Sequence, residues 1–483
     1  IKGNGYGVGV RGNDNRIGSA TVPGGRNVIG GNHYTDVHLY RDTVGNRVQN
    51  NLIGIMANGT TAFRGAATWA TTEFFHETLA GGYYRPARPT CGIWSWINRD
   101  PLIGGTAPGE ANYLAGHNAS IVLGGCSGAR VVGNHIGWGP TGTGIATRSA
   151  VVVCNATIFT AWDSWFGPFA DRYPSSNCAI GGLLAGEGNV LGNCTDHAVW
   201  VEGWENRFDP ARVRSTTVAG NHIGLRPGGA PGGIIAGAAV FIREAQDIVV
   251  EANTLANTPF GVLVASYELD GNHVSSADLR RNRTLSSVGK PIEFELWNIR
   301  RPSPALEASG GAIRNRVLGA PAPDALDADE GPNHFQNPPF ITSAAVGGSG
   351  LITVQGTISG EPFRTYRIEV FGSTGTPATA RGENYFGQSS VATNSLGTAN
   401  WSVTAPDTLP GQWLTATATR TDGPFPSNTT STMSVVGGAV PAVKLPEPEY
   451  RLLPAVAAVS ESGGLTSLRV LRSGNVSAAA TVR

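Results

Sequence analysis

Asn46-Arg47-Val48-Gln49-Asn50-Asn51-Leu52-Ile53-Gly54 is the stretch on which the reading of this chain turns. Its phrases recur upstream as Asn27-Val28-Ile29-Gly30-Gly31-Asn32, and downstream as Val131-Val132-Gly133-Asn134-His135-Ile136-Gly137 and Thr217-Val218-Ala219-Gly220-Asn221-His222-Ile223-Gly224. Arg16-Ile17-Gly18, Leu102-Ile103-Gly104-Gly105 and Ala179-Ile180-Gly181-Gly182 supply a second phrase that introduces each block. The two phrases alternate, which reads as a unit of two coils. Each segment alternates apolar and polar side chains, stops at Gly-Asn and restarts. That is the periodicity of a short strand closed by a residue that accepts left-handed backbone. Short strands restarting in this way stack into a solenoid. The expected inward positions are Val28, Ile29, Val48, Ile53, Val132, Ile136, Val218 and Ile223. The recurring asparagines take a structural role in this reading, because an amide repeated at one bend can hydrogen-bond to the amide above and the amide below.

Composition narrows the function classes. The 483 residues include 67 Gly and 30 Pro, a profile of many turns and β structure rather than helices. Basic and acidic residues balance at 35 each and only 14% of the chain is charged, so with no basic stripe nucleic acid is not an expected partner. The longest apolar run, Gly232 to Ile242, falls well short of the roughly 20 residues of a membrane helix, and no membrane span is expected. No signal peptide is visible, yet Ile1 opens inside a repeat, so the sequence reads as lacking its true beginning and secretion stays open. Five cysteines, Cys91, Cys126, Cys154, Cys178 and Cys194, show neither a C-x-x-C pair nor a Cys/His metal spacing. No metal and no cofactor is expected from them. Disulfides are, between Cys154 and Cys178 or between Cys178 and Cys194.

These phrases resemble those of the secreted bacterial β-helix proteins of the pectate-lyase-like superfamily, especially the CSLREA-type proteins with N-x-[IV]-x-G-N and G-N-x-I-G repeats. The resemblance covers residues 1–335 and implies an all-β fold, a right-handed parallel β-helix solenoid. Asn112-Tyr113-Leu114-Ala115-Gly116-His117 and Asn189-Val190-Leu191-Gly192-Asn193-Cys194 depart from the pattern, and locally irregular coils are expected there. Between Glu307 and Phe340 the repeat fades into a Pro, Asp and Gly-rich stretch, read as a cap and then a linker. Alternation in Leu351-Ile352-Thr353-Val354 and Tyr366-Arg367-Ile368-Glu369-Val370 fits an Ig-like or fibronectin-like β-sandwich over 336–437. Gly331-Pro332-Asn333-His334-Phe335-Gln336-Asn337 is similar to the phrase that joins the two modules in such secreted proteins. Residues 438–483 read as a linker and a partial Calx-beta module, on the resemblance of Val459-Ser460-Glu461-Ser462-Gly463-Gly464 and Leu468-Arg469-Val470 to the start of one.

Three segments break the repeat: Thr60 to Asp100, Asn155 to Asn177 and Cys194 to Pro210. They hold Trp94, Trp96, Trp162, Trp165, Trp200 and Trp204, rings that either stack on the apolar face of a sugar or pack each insertion onto the coils beneath. Asp163, His197, Glu202 and Glu205 accompany them, and glycoside hydrolysis needs two carboxylates flanking one bond. Glu202 and Glu205 are the first candidates for acid and base, although a turn must intervene for residues three apart to face one bond. If the insertions project from equivalent points of the repeat, they lie on one flank and build an aromatic groove. The aligned Asp cluster of a lyase, the N-T-D, D-D and G-H-G phrases of polygalacturonases, and the G-x-S-x-G, H-E-x-x-H, P-loop and Rossmann motifs are all missing. Two functions follow. One is an extracellular or cell-surface scaffold with a structural and adhesive role, contacting polysaccharide or cell-surface glycan through the insertions and able to self-associate through its solenoid ends or sandwich. The alternative is a polysaccharide lyase or glycoside hydrolase acting in the aromatic groove, and fold resemblance alone does not choose between them.

Overall fold

A computed structural model gives the architecture: an all-β chain that visits three parallel sheets in rotation. The structure describes residues 4–63, 77–78, 84–85, 90–155, 173–203, 213–267, 275–285, 287–299, 314–328, 331–346, 350–374, 376, 379–406, 412–422, 429–434, 440–441, 443–444, 449–453 and 469–473. Two of the three sheets have 8 strands and the third has 10. One coil therefore contains both sequence phrases. Arg47–Val48 lies in one short sheet and Asn51–Ile53 in the next, before the chain enters the long sheet at Cys91–Trp96. The expected two-coil unit is corrected to one coil of three strands, because the two phrases form different sides of the same turn.

Parallel pairing in register stacks like on like, and that stacking makes the core. In the first short sheet Ile17, Val48, Ile103, Val131, Ile180, Val218, Val250 and Leu279 form one inward column. In the second, Ile29, Ile53, Leu114, Ile136, Leu191, Ile223 and Leu255 form another. Both columns join one continuous apolar cluster, each fully buried member contributing about 1.5–3 kcal/mol relative to exposure. Two expected inward positions are wrong. Val28 is 43% exposed beside inward Ile29, since neighbours in a strand point to opposite faces. Val132 is buried but outside the interior cluster, and Val131 takes the inward place.

The asparagines form an unbroken ladder. Side-chain amide bonds run from Asn27 to Asn51, Asn112, Asn134, Asn189, Asn221, Asn253 and Asn282, each Nδ2 donating to the next Oδ1 at 2.9–3.1 Å. From Asn51 onward, each Nδ2 also donates to a carbonyl of the preceding coil, as Asn221 does to Ile180 at 2.8 Å. The coils at Asn112 and Asn189 hold this ladder in full and pair in register, which corrects the expected irregularity. His117, which replaces the closing asparagine, is held by Asp36 at 2.9 Å, both side chains buried. The glycine after the ladder strand is obligatory at Gly224: its φ is +77°, and a Cβ there would lie 1.8 Å from the Ala256 carbonyl oxygen.

The cysteines read as crosslinks belong to the apolar packing. Cys126, Cys178 and Cys194 point into the interior cluster and Cys154 into the packing outside the long sheet; all are buried, and no disulfide joins Cys154, Cys178 or Cys194. Burial pushes all these thiols up, so they serve as small apolar side chains.

The C-terminal third is antiparallel. One sheet contains Thr398–Pro406, Leu351–Ser359, Phe340–Val346 and Val443–Lys444; the other contains Asn384–Ala392, Thr365–Ser373, Trp413–Arg420 and Thr429–Thr430, with Val440–Pro441 paired beside them. They enclose a second core that includes Ile352, Val354, Tyr366, Ile368, Val370 and Trp401. The pairing of Val440–Pro441 and Val443–Lys444 carries this sandwich-like unit beyond residue 437. Glu449–Leu453 and Arg469–Ser473 form a separate antiparallel pair.

Among the described residues, the stretch before the sandwich packs on both solenoid and sandwich. Phe335 inserts into the solenoid core 6.1 Å from Phe294, and fully buried Asn333 donates to the carbonyls of Ala277 in the last coil and Thr430 in the sandwich, both at 2.9 Å. Leu279 N–H donates to Thr430 Oγ1 and Thr284 N–H to the Gly382 carbonyl, so the sandwich caps the last coil directly. Among the described residues, no helix is long and apolar enough to cross a membrane.

Candidate functional site

The sequence candidates that the structure describes all lie on or beside the outer face of the long sheet. Trp94 and Trp96 sit on Cys91–Trp96, Trp200 and Glu202 on Val199–Glu202, and His197 just before that strand. They are part of the regular coil and not of the insertions. Trp162, Trp165, Trp204, Asp163 and Glu205 lie outside the described residues.

Parallel register builds two aromatic groups on this face, joined through the column Trp94, Val122, Val152 and Trp200. At the N-terminal coils, His38 pairs with Trp94 across adjacent strands, and their rings stack at 4.8 Å and 4°. Tyr6 stacks on the same imidazole at 5.2 Å, Tyr40 lies 4.0 Å from it, and Trp96 follows Trp94 at 6.0 Å. Arg11 covers Tyr40 at 4.6 Å. One face of Trp94 is thus occupied by His38, where a sugar would need an open ring. Burial, and then the charge of Arg11, pushes His38 down to about 4, so near neutral pH it stacks as an uncharged ring.

Three strand steps further along, roughly 14 Å at the spacing of paired strands, is the second group. Trp200 is 7% exposed and packs edge-on against Phe241 at 5.6 Å and His197 at 5.3 Å. His197 lies flat on Phe241 at 4.3 Å, and its Nδ1 accepts the Ala238 N–H at 2.8 Å. That bond leaves the ring proton on Nε2, which faces Asp196 at 3.5 Å; Asp196 is also held by Arg148 at 3.2 Å. Glu202 is 0% exposed, and its Oε1 accepts from Arg243 Nε at 2.9 Å and also from Nη2. Arg243 lies over Trp200 at 5.9 Å and over Phe241 at 5.5 Å.

The geometry brings Trp200, His197 and Glu202 together and leaves Trp94 and Trp96 three strand steps away on the same apolar column. It also makes them a packed layer: Val122, Val152, Trp200, Phe241 and Leu263 form a second apolar cluster outside the sheet. A carboxylate bridged by a guanidinium and closed to solvent has no path to a glycosidic oxygen. Sequence reasoning missed Arg243, Phe241 and His38. The signal was register: Val199-Trp200-Val201-Glu202 aligned on Val240-Phe241-Ile242-Arg243 places Glu202 beside Arg243.

The bodies of the insertions lie outside the described residues, so of the expected single flank only the anchors are described. The first insertion runs from Asn51–Ile53 into the long-sheet strand Cys91–Trp96, whereas the other two leave the long sheet after Ser149–Cys154 and Val199–Glu202. The first therefore attaches at the N-terminal end of a long-sheet strand and the other two at C-terminal ends. Cys194 and the strand after it belong to the coil, and 204–210 of the third segment lie outside the described residues. Among the described residues, no group of three His, Cys, Asp or Glu side chains could hold a metal ion. No protein-family model matches the chain, and no curated protein is significantly similar to it.

Proposed function

We propose that this chain is a right-handed parallel β-helix of the pectate-lyase-like kind, carrying an Ig-like sandwich and the start of a Calx-beta module. It acts outside the cell or on its surface as a structural and adhesive scaffold whose Trp-rich insertions contact polysaccharide. The parallel sheets support this handedness, because crossovers between parallel strands of one sheet are right-handed in nearly all folds. The single observation that carries the scaffold over the enzyme is the state of Glu202, the first candidate acid, which is sealed from solvent and bridged by Arg243.

A polysaccharide array read both for binding and for new reducing ends or unsaturated products tests the reading. Binding without turnover is expected, and Trp204→Ala should weaken it by roughly 1–3 kcal/mol, the range for losing a ring's apolar contact. Turnover of any glycan would overturn the scaffold, and an array with no binding would remove the glycan from it.

A further inference from the structure

The joint between the last coil and the sandwich contains a carboxyl group that packing alone does not explain. Glu369 lies mid-strand in Thr365–Ser373 with its side chain buried, and neither carboxyl oxygen has a hydrogen-bond partner. Its strand neighbours, Gln388 on one side and Thr417 on the other, carry no charge. The charged groups around it are otherwise engaged. On its own strand, Arg367 Nη2 bonds Asp278 Oδ1 at 2.5 Å, while Arg367 Nε stands 3.9 Å from Glu369. From the solenoid, Arg280 Nε bonds the second oxygen of Asp278 at 2.7 Å, and Arg281 pairs with Glu251 at the surface. From the adjacent sandwich strand Asn384–Ala392, Tyr385 faces the same cluster. Asp278 thus clamps a solenoid arginine and a sandwich arginine together, with Glu369 behind the clamp and its nearest cation, Arg367, at 3.9 Å and bonded elsewhere.

We propose that this joint is a proton-operated latch: the sandwich is seated on the last coil while Glu369 is neutral and loosens when Glu369 ionises. Burial above all, reinforced by the charge of Asp278 and opposed by Arg367 and Arg281, pushes Glu369 up to about 7 from an ordinary 4.5. Across that window the seated state keeps a proton that the released state gives up. Seating therefore weakens as pH rises from about 4.5 to about 7 and is level above. The shift corresponds to at most about a 300-fold change in the seating equilibrium.

Hydrogen exchange of the full chain between pH 5 and pH 8, corrected for the intrinsic rate, reads the latch. Protection of Ala277–Arg280 and Thr429–Thr430 should fall as pH rises, with Ser149–Cys154 in mid-solenoid as the unchanged reference. Glu369→Gln should hold the joint at its acid-side protection throughout. If the glutamine variant does not fold, Glu369→Leu, which fills the space without a titrating group, gives the same reading. Flat protection in the wild type, or either folded variant keeping the wild-type pH profile, would overturn the proposal.

Discussion

The asparagine ladder within the solenoid and the joint beneath the sandwich both bury polar side chains, and they satisfy them in opposite ways. Asn221 accepts from Asn189 at 2.9 Å and donates to Asn253 at 3.0 Å and to Ile180 at 2.8 Å, so its amide has no idle hydrogen. In the joint, Glu369 Oε1 and Oε2, Arg367 Nε and Thr417 Oγ1 all lack hydrogen-bond partners. A repeat offers each buried group a copy of itself at a fixed distance, and neutral amides then suffice. A junction between unlike surfaces has no such copy: beside the amide of Asn333 it adds a charged cluster, and that part makes it conditional on pH.

The comparison breaks most visibly in mid-ladder. Asn221→Ala strands the Asn189 amide and main-chain N–H and the Ile180 carbonyl, three groups at about 1 kcal/mol or more each, while Asn253 Oδ1 keeps the main-chain N–H of residue 221. A loss of about 3 kcal/mol in urea unfolding is expected, and a loss under 1 kcal/mol would mean that water replaces the ladder without penalty.

The next effect is a pH response of the opposite sign to that of the joint. His38 in the folded chain titrates at about 4 instead of 6.5, so below pH 6.5 the unfolded chain binds a proton that the folded one refuses. The N-terminal coils should lose up to about 3 kcal/mol as pH falls from 6.5 to 4, while the joint tightens over much of the same range. His38→Phe should flatten the loss in urea titrations taken at several pH values. A slope unchanged by that substitution would place the titration elsewhere.

The smallest effect sharpens the ladder argument. Asn27 is exposed at the ladder's end and makes one side-chain bond, to Asn51 at 2.9 Å. Asn27→Ala should change stability by less than about 1 kcal/mol, and equal losses at Asn27 and Asn221 would show that burial is not what gives the ladder its strength.

The solenoid was legible because its rules are local and recur. An apolar residue flanked by Asn and Gly marks a strand whatever lies between coils, and even Asn112 and Asn189, read as departures, obeyed that rule. The candidate site was less legible because its contacts are not local: Glu202 meets Arg243 and Trp94 meets His38 only once the register is known, across insertions of unequal length. Composition marked the right sheet through Trp94 and Trp200, but an indole looks the same in a sequence whether it is stacked on its neighbours or open to a ligand. The cysteines misled for a related reason. Inward positions of a coil accept any small apolar side chain, and Cys126, Cys178 and Cys194 occupy such places as valine or alanine would.

The ladder runs one way: from Asn51 to Asn253 every amide passes a hydrogen to the following coil and receives one from the coil before. A coil spliced in between two others, in the same register, finds an acceptor ahead and a donor behind already in place, and its apolar columns continue those of its neighbours. Duplication or loss of a whole coil therefore leaves no mismatched partner in the ladder or in the two apolar columns beside it. Length becomes a variable that genetic change can adjust in steps of one turn, while the sandwich at the far end needs only to meet the same final coil.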